Sequence, residues 1–145
     1  YCSARGMAST AIELLQESTE DSPLHHIQEE EITSKAVYDA AEAGDPIAQK
    51  VFEITGEILG ESLADFMTFS SPEAIILFGG VTAAGERLLQ PIRKALNKNL
   101  LCVYQTPKLL LSQLPTDDAA ILGAAAVGVE VALRASGQSK GAMAS

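Results

Sequence analysis

Cysteine, basic residues and long apolar runs are all scarce in this 145-residue chain, and each shortage removes a class of protein. Its two cysteines, Cys2 and Cys102, lie far apart with no C-x-x-C spacing. That excludes a disulfide framework or a zinc knuckle and makes reduced thiols the default. Ten Lys and Arg against nineteen Asp and Glu leave a formal net charge of −9. This is the wrong sign for a surface that grips nucleic-acid phosphates, and the acidic residues, spread along the chain, read as a solubilising surface. No stretch reaches the roughly 20 apolar, charge-free residues of a membrane span. The richest apolar run, from Ala119 to Val129, is too short. Tyr1 to Gln16 lacks the charged segment and continuous apolar core of a signal peptide. A cytoplasmic protein with neither nucleic acid nor membrane as partner is therefore expected. G-x-S-x-G, a Walker A loop and a Rossmann fingerprint are all missing, which leaves hydrolase and P-loop readings unsupported. His25 and His26 are adjacent rather than four apart. With Glu29, Glu30 and Glu31 they read as a solvated acidic loop, not a metal site.

What is present is enough apolar residue, 47%, to build the core of one domain. Ser3 to Gln16 has helical periodicity, and Glu17 to Pro23 is polar and turn-rich. Thr33 or Ser34 caps a second helix through Ala43, closed by Gly44. Asp45 as N-cap and Pro46 at the first helical position start a third. Its apolar series runs Ile47, Val51, Phe52, Thr55, Ile58, Leu59, Leu63, Phe66 and Met67. Gly56 and Gly60 form a G-x-x-x-G on this helix; flanked by Glu57 and Glu61, they predict close packing of another element rather than a membrane dimer. After Pro72, Ala74 to Phe78 is a continuous apolar run, the pattern of a strand buried on both faces. Thr82 is expected to cap a helix to about Asn97, kinked or restarted at Pro91. Leu109 to Leu111 reads as a second strand, parallel to the first. Thr116 or Asp117 then caps a last helix from about Ala119 to Arg134, leaving residues 135–145 as a flexible tail. Two strands make a poor sheet, so further strands are expected from elsewhere.

Two segments could carry chemistry. The first is Ile75-Ile76-Leu77-Phe78-Gly79-Gly80-Val81-Thr82, a strand that ends in two glycines. The carboxyl ends of parallel strands are where α/β proteins place ligands, and glycine lets a nucleotide approach the backbone. The same octet also suits a tight turn that needs positive φ and binds nothing. The second segment is Leu114-Pro115-Thr116-Asp117-Asp118-Ala119-Ala120-Ile121-Leu122-Gly123-Ala124-Ala125. Its two aspartates invite a reading as acid and base or magnesium ligands, but their place in a first helical turn favours capping. The small residues that follow suit close packing against strands.

Taken together, these segments resemble the C-terminal half of the ROK family of sugar kinases. The Gly79-Gly80 turn, the stretch Gly85-Glu86-Arg87-Leu88-Leu89-Gln90-Pro91-Ile92 and the segment Asp117 to Ala125 match it in order. Tyr1-Cys2-Ser3-Ala4-Arg5-Gly6 is similar to the stretch just after the family's zinc-binding cysteines. The resemblance spans about residues 1–134. It implies an α/β fold, an incomplete RNase H-like lobe of the actin-like ATPase superfamily, mostly helical with two short parallel strands. It implies ATP with magnesium as cofactor, a hexose (glucose above all) as substrate, and Gly79, Gly80 and Val81 on the adenosine side of the cleft. By the same resemblance, the catalytic aspartate, phosphate loops, sugar contacts and structural zinc ligands would precede Tyr1, whose identity as Tyr rather than Met points to a fragment or processed product. The partner so implied is a missing N-terminal lobe; separately, the uncovered edge of the Ala74–Phe78 or Leu109–Leu111 strand, with the apolar last helix, leads to an expected homo-oligomer. A ROK-type transcriptional repressor is the alternative parent.

Overall fold

Local signals start the first three helices of the computed structural model, which describes residues 2–101, 105–114 and 119–135. Helix α1, Ala4–Glu17, is capped by the Ser3 hydroxyl, which accepts from the Gly6 N–H. Helix α2, Ser34–Glu42, is capped by Thr33 and followed by Gly44 at φ 92°. Helix α3, Pro46–Ser70, begins at Asp45, whose Oδ1 accepts from the Ile47 N–H at 3.0 Å. The other carboxylate oxygen accepts the buried Ser22 hydroxyl at 2.7 Å, and Ser22 in turn accepts from the Leu24 N–H. One N-cap thus also ties down the loop after α1. Removing such a cap costs about 0.5–2 kcal/mol.

Strand β1, Ala74–Leu77, pairs in parallel with β2, Lys108–Leu111, in the register Ala74 to Lys108 and Leu77 to Leu111. Helix α4, Glu86–Asn99, makes the crossover between them. The chain divides into two units, Tyr1–Ser112 and Gln113–Ser145. Helix α5, Ala119–Ala135, belongs to the second, and its side chains from Ile121 to Arg134 are exposed. Among the described residues, no helix is long and apolar enough to cross a membrane.

Within the first unit, α3 runs through the centre. Met7, Ala11, Val37, Ala41, Val51, Phe52, Leu88 and Ile92 form one continuous buried cluster from α1, α2, α3 and α4. A second cluster, Ala64, Met67 and Leu96, lies under Ile75 and Leu109 of the sheet. The closest packing is between α3 and α4, where the paired glycines sit. A Cβ on Gly56 would stand 2.5 Å from Pro91 Cγ, and one on Gly60 would stand 2.6 Å from the Ile92 carbonyl oxygen. The expectation of close approach at G-x-x-x-G is met, and the partner is α4.

Four expectations need correction. Phe66 is 57% exposed, because the buried stripe of α3 drifts onto Gly60, Ala64 and Met67 to follow α4. Ile76 and Phe78 are also exposed, at 64% and 50%, so β1 is covered on one face only among the described residues. Thr82 does not cap a long helix: it lies inside a short 3-10 turn, Gly80–Ala84, and its hydroxyl donates to the Gly79 carbonyl at 2.6 Å. Helix α4 starts after Gly85, at φ 54°, and continues unbroken through Pro91. The Pro91 ring sits directly against Gly56 of α3, where a side chain would collide with it. The proposed caps Thr116 and Asp117, the neighbouring Asp118, Cys102 and residues 136–145 lie outside the described residues.

Gly60→Ala tests the tight helix pair. Its new methyl meets backbone, which moves only if α4 moves, so overpacking should lower stability by about 1–3 kcal/mol. That loss outweighs alanine's helix-propensity advantage of about 1 kcal/mol. Urea unfolding gives the comparison; an unchanged or raised midpoint would show that α4 can shift freely.

Candidate functional site

The β1 carboxyl end delivers the chain to Gly79 and Gly80, and the structure separates the two glycines by cause. Gly79 has φ 120° and ψ 170°, a backbone conformation that L side chains rarely adopt. Gly80 has no positive φ, and a Cβ built on it meets nothing within 4 Å. The first glycine is required by the turn; the second leaves open space beside exposed backbone. The segment after them is only a five-residue 3-10 turn, so no long helix offers an N-terminal dipole here.

Gly80 and the half-buried Val81 open onto a cavity of about 170 Å³. Its other walls come from distant parts of the chain: Met7 of α1, Tyr38 of α2 and Phe52 of α3. Tyr38 and Phe52 meet edge to face, with ring centroids 6.5 Å apart, so the tyrosine ring is braced. Lys35 stands at the rim and bonds the Asp39 carboxylate at 2.9 Å. That hydrogen bond, reinforced by the carboxylate's charge, raises the Lys35 pKa above the ordinary lysine value and keeps a cation at the mouth. Outside this cavity, Arg87 ties α4 to α2: its Nε and Nη2 both donate to Glu42 Oε1.

A larger cleft of about 660 Å³ lies between α3 and α4, but it is lined by charges of both signs, among them Lys50, Glu53, Glu86 and Arg87. The smaller cavity is the better candidate: it is apolar, has an aromatic wall, and adjoins the glycine turn. Tyr38 and Phe52 were not singled out in the sequence as site residues. Helical periodicity marks Phe52 only as core, and nothing local signals that Tyr38 lines a cavity with Val81. Among the described residues, no three His, Cys, Asp or Glu side chains gather to hold a metal ion.

Comparison with known proteins agrees with this placement of elements. The sequence model of the ROK family matches residues 1–130. A glucokinase of Halalkalibacterium halodurans is 36% identical over 93 residues, 63% of this chain and 28% of that protein. The DNA-binding transcriptional dual regulator NagC of Escherichia coli is 31% identical over 77 residues, 53% of this chain and 19% of that protein. A ROK family glucokinase from Streptomyces griseus, solved with glucose and AMPPNP, superposes with a TM-score of 0.77 at 30% identity. That match covers 88% of this chain and 42% of the Streptomyces chain. The chain thus spans less than a third of the curated relatives named here, 28% and 19%.

The two glycines should respond differently to alanine. Gly79→Ala imposes a strained backbone, with an expected loss of about 1–3 kcal/mol. Gly80→Ala enters open space, and a surface substitution of that kind should stay within about 0.5 kcal/mol. Thermal or urea unfolding of both variants measures the split; equal losses would contradict it.

Proposed function

This chain belongs to the ROK family, and from that premise we propose that it forms the nucleotide side of an ATP-dependent sugar kinase. The carrying observation is the apolar cavity that opens beside Gly80 and Val81. At about 170 Å³ it is smaller than the roughly 300–1,000 Å³ sites that take whole drug-sized ligands. It suits one flat ring system, with the rest of a nucleotide running outward over the Gly79-Gly80 turn. Tyr38 would supply the ring face, Val81 the apolar edge and Gly80 an unobstructed approach to backbone. Lys35 at the rim would offer a positive charge to the outgoing phosphates.

ATP would supply a transferable γ-phosphoryl group, and a hexose hydroxyl, with glucose the first candidate, would accept it. Such transfer depends on positioning and charge stabilisation more than on covalent chemistry by the protein. Because the chain spans less than a third of its curated relatives, the activity is proposed for a longer protein containing it. General base, phosphate cradle and sugar contacts would come from that remainder, as would any magnesium or zinc ligands. An RNase H-like lobe, completed by further strands over the exposed Ile76 and Phe78, fits the same reading. The NagC match favours one second reading, a ROK-type regulator that shares this half without phosphoryl transfer.

Adding ADP to the isotope-labelled chain tests the site directly. Amide shifts are expected at Gly80, Val81 and Tyr38, and their absence there would remove the proposal. Tyr38→Ala should weaken binding by about tenfold, in line with the roughly 1–3 kcal/mol of a base–aromatic stack. The 145-residue chain alone is expected to make no glucose 6-phosphate from ATP and glucose. Turnover by the purified chain would place the catalytic base within it and overturn the division of labour.

A further inference from the structure

Strand β2 has β1 as its only strand neighbour among the described residues. The Lys108 and Ser112 N–H groups turn toward β1 and donate to the Glu73 and Leu77 carbonyls at 3.0 and 2.9 Å. Backbone polarity alternates along a strand, so the N–H and C=O groups of Leu109 and Leu111 point away from β1, out of the open edge. That edge borders a groove of about 370 Å³, lined by Pro107 through Leu110 and by Arg93 and Leu96 of α4. Successive side chains of a strand point to opposite faces, yet the consecutive β2 residues Lys108, Leu109 and Leu110 all border this groove, as residues along a strand's edge can. Leu96, fully buried, gives the groove an apolar floor.

Charge marks the same place. The acidic residues are less evenly spread than their number suggests: between Glu86 and Asp117 there is none. That interval carries Arg87, Arg93, Lys94, Lys98 and Lys108, five of the chain's ten Lys and Arg. Of these five, Arg93 and Lys108 line the groove, whereas Arg87 and Lys94 line the separate cleft between α3 and α4. Arg93 is exposed and shares its guanidinium with Glu86, and Lys108 is exposed on the strand itself.

We propose that the open edge of β2 takes an extended acidic peptide from another protein as a third strand. The peptide backbone would bond the outward groups of Leu109 and Leu111, one apolar side chain would enter the groove over Leu96, and flanking carboxylates would face Arg93 and Lys108. A peptide is favoured over nucleic acid because the edge offers alternating donors and acceptors beside an apolar floor, whereas phosphates call for donors alone.

The test is a titration of the isotope-labelled 145-residue chain with a capped octapeptide alternating valine and glutamate. Saturable amide shifts are expected at Leu109, Leu111 and the groove residues. Lys108→Glu and Arg93→Glu should each weaken binding by about tenfold while leaving the rest of the spectrum in place. N-methylation of alternate peptide amides, or replacement of glutamate by lysine, should abolish it. Four results would overturn the proposal. These are no binding, which leaves Lys108 as an edge-guarding lysine only; shifts confined to the exposed face at Ile76 and Phe78; undiminished binding of the N-methylated peptide; and displacement of the peptide by a DNA duplex at the same residues.

Discussion

The close approach of α3 and α4 is the contact on which the rest of the first unit depends. Two glycines one turn apart let Pro91, Ile92, Ala95 and Leu96 settle directly onto the α3 backbone. Neither helix could keep this position with a methyl group between them. The position of α4 sets where its first turn meets α2 through Arg87 and Glu42, and where its last turns meet β2. The groove beside β2 is therefore bounded by a helix that this packing seam holds from behind.

The glycine turn shows how two neighbouring identical residues divide their work. Gly79 answers a backbone requirement, and Gly80 answers none that the fold imposes. Open space beside an exposed backbone is what a ligand-facing position needs, while positive φ is what a sharp exit from a strand needs. Of the two readings that the octet allowed in the sequence, the structure realises the turn that needs positive φ, at Gly79. The ligand-facing half remains the proposal, supported by the aromatic wall that α2 and α3 bring to it.

Much of the helical framework was legible because its signals are local. Ser3, Thr33 and Asp45 each place a hydroxyl or carboxylate against an N–H two or three residues on, and no distant contact is needed for that. The parallel pairing of β1 and β2 was legible from two apolar runs and a crossover long enough to be a helix. The errors have a common form. Phe66, Ile76 and Phe78 are apolar and lie where periodicity expects burial, yet they are exposed. Apolar pattern reports which residues would favour a neighbour, not whether one is there. The start of α4 was misplaced because Thr82 is a good cap by type, and only its short bond back to Gly79 shows it closing a 3-10 turn.

By itself, the sequence determined the starts of α1, α2 and α3, the two strands, the close-packing seam and the family. These rest on short-range hydrogen bonding, φ preference, side-chain volume and order along the chain. Tertiary structure alone decided that Tyr38 and Phe52 line a cavity with Val81, that Pro91 packs against Gly56, and that Arg93 and Leu96 of α4 line a groove with β2. The residues involved are tens of positions apart. Their proximity follows from how helices cross, a geometry set by summed packing over many side chains rather than by any local pattern.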